Sequence, residues 1–183
     1  MRLFKFILTI YLLQLSYELK GMDLVGFDKE SVETTSKWQF ITDKVMGGNS
    51  TGNLRFFFDK FPFVRMEGTV STENNGGFIQ FRSDVDVSTD NFSSIQINVR
   101  GNAETYYVHI RTHMTIFPWQ YYACEFSVNE NWKKISLKLN DFKKSNFYQP
   151  SEFDSSDIKS IAFVAFGKDF NARLDLKSAY LTE

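Results

Sequence analysis

The segment SIQINVR, residues 94–100, is the stretch that most directly indicates the fold. Apolar side chains occupy positions 95, 97 and 99, whereas polar side chains occupy positions 96, 98 and 100. Successive side chains of a β-strand point to opposite faces of a sheet, so this alternation is typical of a half-buried strand. The segment therefore predicts a sheet with one face on the core and the other in water.

Runs of the same kind continue on both sides of this segment, separated by clusters of Gly, Asn, Asp and Ser. The predicted strands are Leu54–Phe58, Phe63–Ser71, Gly77–Ser83, Ser94–Arg100, Thr105–His113, Gln120–Val128, Trp132–Leu137, Ile158–Phe166 and Ala172–Leu181. Residues 140–157 have no such period and predict a long surface loop or short helical turns. About nine strands joined by short loops are typical of a sandwich or barrel, so we expect an all-β fold.

Composition excludes several classes of protein. The 183 residues are 43% hydrophobic and 17% aromatic, which provides enough apolar surface for one folded domain. With 21 basic and 22 acidic residues, the formal net charge is −1, so no broad positive field favours nucleic acid. Cys124 is the one cysteine, which excludes an internal disulfide and a cysteine-rich zinc site.

Residues 1–22 have the pattern of a secretory signal. Arg2 and Lys5 precede an apolar run at residues 6–15, which is too short to span a bilayer. Two alternatives remain: Met22 is the true start, or the segment is retained as a membrane anchor. We expect a single β-sandwich domain at residues 23–183, exported to the periplasm or membrane-associated if the signal operates, and cytoplasmic or mitochondrial otherwise.

Two glycine-rich motifs stand between the predicted strands. Their residues are Asp43, Met46, Gly47, Gly48 and Ser50 in the first motif, and Asn74, Asn75, Gly76 and Gly77 in the second. The first predicts a tight corner in which glycines adopt positive φ and Asp43 and Ser50 bond to nearby backbone. Its successive N–H groups could alternatively cradle an anion. The second predicts a hairpin turn, and its exposed amides are a less favoured ligand site.

Four segments together resemble the complex I intermediate-associated protein 30 family. They are residues 38–50, residues 67–78 with Arg82, residues 95–102, and residues 158–163 continuing into 170–176. The D-x-V-M-G-G-x-S element followed by N-N-G-G-F carries most of the resemblance, which covers the chain after about residue 24. It implies a jelly-roll β-sandwich of the galactose-binding-like type. It also implies a chaperone-like factor, without enzymatic activity, that binds protein partners during assembly of respiratory NADH:ubiquinone oxidoreductase.

Alternation also indicates a candidate binding face. Gln80 and Arg82 share one face of their strand, and Tyr107, His109, Arg111 and His113 share one face of theirs. If both belong to the same sheet surface, they form a concavity whose candidate ligand- or partner-binding residues are Arg82, His109, Arg111, Trp119 and Tyr121. Aromatic planes and planar donors are suited to sugars, so an exported carbohydrate-binding module is the alternative function.

The simpler interpretation of this face is an exposed sheet surface with cross-strand charge pairs, such as Arg111 with Glu125. Phe117 and Trp119, on either side of Pro118, are candidate anchors for a protein partner, because interface hot spots favour large aromatic residues. The pattern of the strands leaves the two interpretations open, because it does not say which strands are neighbours.

No catalytic or metal-binding constellation emerges from the sequence. His109 and His113 lie four residues apart on a predicted strand, roughly 13 Å, which is too far for one ion. Residues 84–90 begin like a calcium loop but lack its Gly and Glu, so a structural calcium is only a minor hypothesis. No serine nucleophile motif is present, and Cys124 lies in an apolar strand. We expect no cofactor and no enzyme activity; a hydrolase has the least support.

Overall fold

The computed structural model describes residues 21–26, 32–87 and 91–183, with the backbone alone at 32 and 33. The predicted signal therefore lies outside the described residues except at its last two positions. The strands are β1 Gly21–Asp23, β2 Gln39–Thr42, β3 Thr51–Phe57, β4 Phe63–Val70, β5 Phe78–Asp84, β6 Ser94–Gly101, β7 Thr105–Thr112, β8 Tyr122–Ser127, β9 Lys133–Lys138, β10 Lys143–Lys144, β11 Ile158–Phe166 and β12 Phe170–Thr182. Helix α1 spans Val32–Ser36, and four 3₁₀ turns span Asp43–Met46, Glu73–Asn75, Leu139–Asp141 and Ser155–Asp157.

Two antiparallel sheets form the sandwich. Sheet A has the order β3-β4-β12-β6-β9, with β1 paired to the end of β12, and sheet B has the order β10-β8-β7-β11-β5-β2. Strands that follow each other in sequence often lie in different sheets, as do β4 and β5, β6 and β7, and β8 and β9. The predicted all-β jelly-roll sandwich is confirmed.

The core lies between the two sheets. Ile95, Ile97 and Val99 of β6 are buried, as their alternation predicts. On the facing sheet the rings of Phe81 and Phe163 stack with centroids 5.1 Å apart. Burying a large apolar side chain contributes roughly 1.5–3 kcal/mol, so this shared core holds the two sheets together.

Three strands were not predicted from the sequence. Strands β1, β2 and β10 are only two to four residues long. Each lies at the margin of its sheet and pairs through backbone groups with a longer strand, which needs no alternation of side chains. The unpatterned region 140–157 contains β10, the 3₁₀ turn at Ser155–Asp157 and most of the one at Leu139–Asp141, which agrees with the predicted loop and short turns.

The hairpin predicted at residues 74–77 is wrong. Strand β4 belongs to sheet A and β5 to sheet B, so this segment crosses from one sheet to the other. Three of the four residues adopt positive φ, at 55° for Asn74, 57° for Asn75 and 125° for Gly77, whereas φ of Gly76 is −79°. The positive φ was therefore predicted correctly except at Gly76, and the partner of the following strand depends on packing of the whole sandwich.

Candidate binding surfaces

The two glycine-rich motifs meet at Asp43, whose side chain is buried. Its carboxylate accepts the Ser50 hydroxyl at 2.5 Å and the Ser50 N–H at 2.9 Å. It also accepts the N–H groups of Gly77 at 2.6 Å and Phe78 at 3.3 Å. Burial raises the pKa of Asp43, but these hydrogen bonds together outweigh it, so the pKa lies below its usual value. Asp43 is therefore an ionised anchor between β2, β3 and β5.

Gly48 and Gly76 are needed here for space. A Cβ on Gly48 would lie 2.3 Å from Asp43 Cγ, and one on Gly76 would lie 2.4 Å from Asp43 Oδ2. Within the first motif, Gly47 has positive φ, at 91°, so the expectation that the glycines act through φ was wrong for Gly48. The anion cradle predicted as an alternative has lost most of its donors. The Gly47 and Gly48 N–H groups bond to the carbonyls of Lys44 and Asp43, and the Ser50 N–H bonds to the Asp43 carboxylate.

The outer face of sheet B, called here the sheet-B face, brings four of the five predicted binding residues together. Pairing registers align Arg82 of β5, Ala162 of β11 and His109 of β7 in one row across the sheet. The next row contains Gln80, Val164, Tyr107 and Glu125. The two faces considered from the sequence thus form one surface, because β11 lies between β5 and β7.

His109 and Tyr121 form the centre of the sheet-B face. Their rings are nearly parallel, with centroids 4.0 Å apart and planes within 10°. His109 is only 9% exposed, and its Nε2 has no hydrogen-bond partner among the described residues. Burial lowers the pKa of His109 to about 3, so the imidazole is neutral near pH 7 and offers one donor and one acceptor. Burial also raises the pKa of Tyr121, which is uncharged as well.

Arg111 links the sheet-B face to the loop that follows β7. Its Nη2 donates to the carbonyls of Thr115 at 3.4 Å and Phe117 at 3.3 Å, whereas its Nε is buried without a partner among the described residues. Burial lowers the pKa of Arg111, and the positive charge of Arg82 adds to this effect. The predicted pair with Glu125 is wrong, because the register places Glu125 opposite Tyr107.

A second surface, called here the aromatic end, consists of Ile116, Phe117, Trp119, Phe147 and Tyr148. Trp119 is 59% exposed and stacks on Phe117 with centroids 4.8 Å apart, while Phe147 and Tyr148 are 84% and 87% exposed. The Ser145 hydroxyl donates to the Trp119 carbonyl at 2.9 Å, which joins the two loops. Trp119 and Phe117 were predicted from the sequence; Phe147 and Tyr148 were missed, although two aromatics in a polar loop are a signal of exposure.

Other predicted sites have less support. Residues 88–90 of the calcium-like segment lie outside the described residues, so that hypothesis stays untested. Across the described ranges, no group of three or more His, Cys, Asp or Glu side chains could hold a metal ion. The same ranges contain no helix long and apolar enough to cross a membrane.

The family of the chain follows from its sequence. The complex I intermediate-associated protein 30 family matches residues 25–176, which is most of the chain and includes both motifs at Asp43. The chain belongs to this family. No curated protein is significantly similar to it in sequence.

Solved structures with the same fold as this family member include carbohydrate-binding modules. The family 11 module of the cellulosomal cellulase Lic26A-Cel5E of Clostridium thermocellum has a TM-score of 0.68 at 13% identity, covering 90% of this chain and 96% of that chain. The Clostridium thermocellum family 11 module in complex with a β-1,3-1,4-mixed-linked tetrasaccharide has a TM-score of 0.66 at 14% identity, covering 88% and 94%. At these identities the similarity shows the fold alone. Both the family and these modules are non-catalytic types of domain.

Proposed function

We propose that the protein is a non-catalytic, assembly-factor-like domain that binds a protein partner through the aromatic end. The observation that carries this proposal is the exposure of Phe117, Trp119, Phe147 and Tyr148 on two adjoining loops. Exposed aromatic groups of this kind mark interaction sites, and Trp and Tyr contribute most to binding at interfaces. Membership of the complex I intermediate-associated protein 30 family supports subunits of respiratory NADH:ubiquinone oxidoreductase as the partner.

The loops of the aromatic end are held in place before any partner binds. The Gln120 side chain accepts the N–H groups of Ile116 at 2.8 Å and Phe117 at 3.0 Å. The Gln149 side chain donates to the Tyr121 carbonyl at 3.1 Å. Ordering loops on binding lowers affinity, so side chains displayed on preorganised loops make better anchors.

Affinity purification of the full-length tagged protein from its host, after mild crosslinking, tests this proposal. The test variant is Trp119→Ala/Phe147→Ala, and the matched control is Phe61→Ala, which removes an exposed aromatic from the β3–β4 loop. We expect oxidoreductase subunits to be enriched with the wild type and the control but lost with the double variant. Equal recovery with all three proteins, or no enriched protein at all, would contradict the proposal. The N-terminal peptide from the same sample shows whether export has occurred.

A second candidate function is oligosaccharide binding at the sheet-B face. It is favoured by the stacked His109–Tyr121 pair with its unpartnered His109 Nε2, next to the unpartnered Nε of Arg111. A sugar hydroxyl could satisfy either buried nitrogen once the side chain that covers it moves aside, and the neighbouring aromatic rings could pack against the sugar ring. The similarity in fold to a module that was solved with a tetrasaccharide supports this candidate.

A panel of oligosaccharides, with thermal unfolding as readout, tests the second candidate. A ligand at 100 times Kd stabilises the folded protein by about 2.7 kcal/mol, which gives a measurable rise in Tm. We expect the rise to disappear in Tyr121→Ala and to persist in Trp119→Ala/Phe147→Ala. A panel without any rise in Tm excludes this candidate for the sugars used and leaves the aromatic end as the functional surface.

A further inference from the structure

The outer face of sheet A has a cavity of about 140 Å³, called here the arginine pocket. It is lined by Arg65, Arg100, Gly101, Glu130, Arg173 and Asp175. The pocket lies beside the ends of β6 and β8, whereas the aromatic end follows β7 and precedes β8. It is therefore remote from both surfaces considered above, on the opposite sheet.

Asp175 organises the floor of the arginine pocket. The registers place Arg65 of β4, Asp175 of β12 and Arg100 of β6 directly opposite one another. Asp175 is only 2% exposed and accepts Arg65 Nε at 2.6 Å, Arg65 Nη2 at 2.8 Å and Arg100 Nε at 2.8 Å. Both terminal nitrogens of Arg100 are left without a hydrogen-bond partner among the described residues. They remain available to an incoming acceptor.

Aromatic rings hold the guanidinium groups in position. The Arg100 guanidinium lies 4.6 Å from the ring centroid of Trp132 and 5.4 Å from that of Phe63. The Arg65 guanidinium lies 5.7 Å from the same Phe63 ring. Cation–π contacts of this kind limit side-chain motion, so little conformational entropy remains to be lost when an anion binds.

Glu130 closes the pocket from the loop between β8 and β9. Both of its carboxylate oxygens accept hydrogen bonds from Arg173 Nη2. The Glu130 side chain is 70% exposed and that of Arg173 is 40% exposed, and ion pairs between exposed side chains contribute little to stability. Another carboxylate can therefore replace Glu130 at small cost. Three arginines face two carboxylates, which leaves one net positive charge in the pocket.

We propose that the arginine pocket binds a glutamate or aspartate side chain of an acidic peptide, in the place that Glu130 occupies in the unliganded protein. A guanidinium group can donate to both oxygens of a carboxylate, as Arg173 Nη2 does to Glu130, and this pair shows that a glutamate side chain fits here. The pocket thus provides a second contact for a protein partner, independent of the aromatic end.

Fluorescence anisotropy with a labelled hexaglutamate peptide and the full-length chain tests this proposal. Arg173→Gln should weaken binding about tenfold, the loss expected for one charge-assisted hydrogen bond. Its matched control is Lys138→Gln, which removes the same charge from the exposed end of β9 in sheet A, outside the pocket. Glu130→Gln should tighten binding severalfold, and its matched control is Glu152→Gln, which removes an exposed carboxylate outside the pocket.

The paired controls distinguish a site from general attraction between charges. If Glu130→Gln and Glu152→Gln tighten binding equally, or Arg173→Gln and Lys138→Gln weaken it equally, the proposed site is wrong. Absence of peptide binding also overturns the proposal, as does binding of tetragalacturonate in place of the peptide. Trp119→Ala/Phe147→Ala, the variant that tests the aromatic end, should bind the peptide as the wild type does. A failure of the aromatic end to bind a partner would therefore leave the peptide result unchanged, and the two proposals can fail separately.

Discussion

The hydroxyl of Ser50 lies 2.5 Å from the Asp43 carboxylate, and the same carboxylate accepts the Gly77 N–H at 2.6 Å. Two motifs that are 34 residues apart, at Asp43 and Gly77, are joined through one buried charge. These motifs carry the family resemblance, yet they form an internal anchor between the sheets. The proposed binding groups lie elsewhere, on the sheet-B face and at the aromatic end.

Asp43→Asn should destabilise the fold by about 2–4 kcal/mol, because an amide N–H₂ would face N–H donors in a buried site. Urea unfolding at pH 7 measures the change as a lower midpoint with an unchanged slope. The exposed Asp59→Asn is the control and should leave the midpoint unchanged. An Asp43→Asn midpoint equal to that of the wild type would show that the carboxylate does not anchor the motifs.

Asp43 should also govern part of the acid sensitivity of the protein. Its folded-state pKa is below the ordinary 3.8, so its contribution to stability is complete above that pH and is lost as pH falls through the folded-state pKa. The unfolding free energy of the wild type should therefore fall more steeply below about pH 4 than that of Asp43→Asn. Parallel curves for the two proteins would contradict a lowered pKa.

Gly76→Ala should destabilise more than Gly47→Ala. The new Cβ of the first would lie 2.4 Å from Asp43 Oδ2 and would force the carboxylate away from its donors. Gly47 has open space around it, so Gly47→Ala costs only the strain of placing alanine at positive φ, about 1–2 kcal/mol of unfolding free energy. Thermal unfolding of both variants measures the difference, and the reverse order would show that φ dominates in these motifs.

His109 should make the protein less stable as pH falls below 6.5. Its pKa of about 3 in the folded state lies below that of the unfolded chain, so the unfolded state gains a proton first. The stability supplied by neutral His109 is complete above pH 6.5 and declines by about 1.4 kcal/mol for each unit of pH below it. Urea unfolding at pH 7 and pH 5 should show this decline in the wild type but not in His109→Gln. An equal decline in both proteins would show that other titratable groups cause the loss of stability.

The N-terminal boundary can be tested through β1. Gly21 pairs with Thr182 and Asp23 with Tyr180, so a chain that begins at Leu24 lacks the whole strand. We expect that chain to have a lower Tm than one beginning at Gly21, by about 2–4 °C for each kcal/mol of lost pairing. Equal values of Tm would show that β1 does not stabilise the sandwich.

The strands themselves could be predicted because they depend on local alternation. Residues 94–100 fold as β6 with the apolar positions inward, and the strand at Ile158–Phe166 has the predicted bounds. The hairpin at residues 74–77 was wrong because positive φ describes a turn but not the sheet that the next strand enters. Likewise, alternation placed Arg111 on the correct face but could not show that Tyr107 is the residue opposite Glu125.

Three properties follow from the sequence alone: the all-β class, the family, and the set of side chains that share a face of each strand. These properties depend on residue type and on the two-residue period of a strand. Only the tertiary structure decided which strands are neighbours. Strand β11 lies between β5 and β7 and joins Arg82 and His109 into one surface, and Arg65 meets Asp175 across 110 residues of sequence. Such neighbours are selected by burial of the common core of both sheets, which no local pattern records.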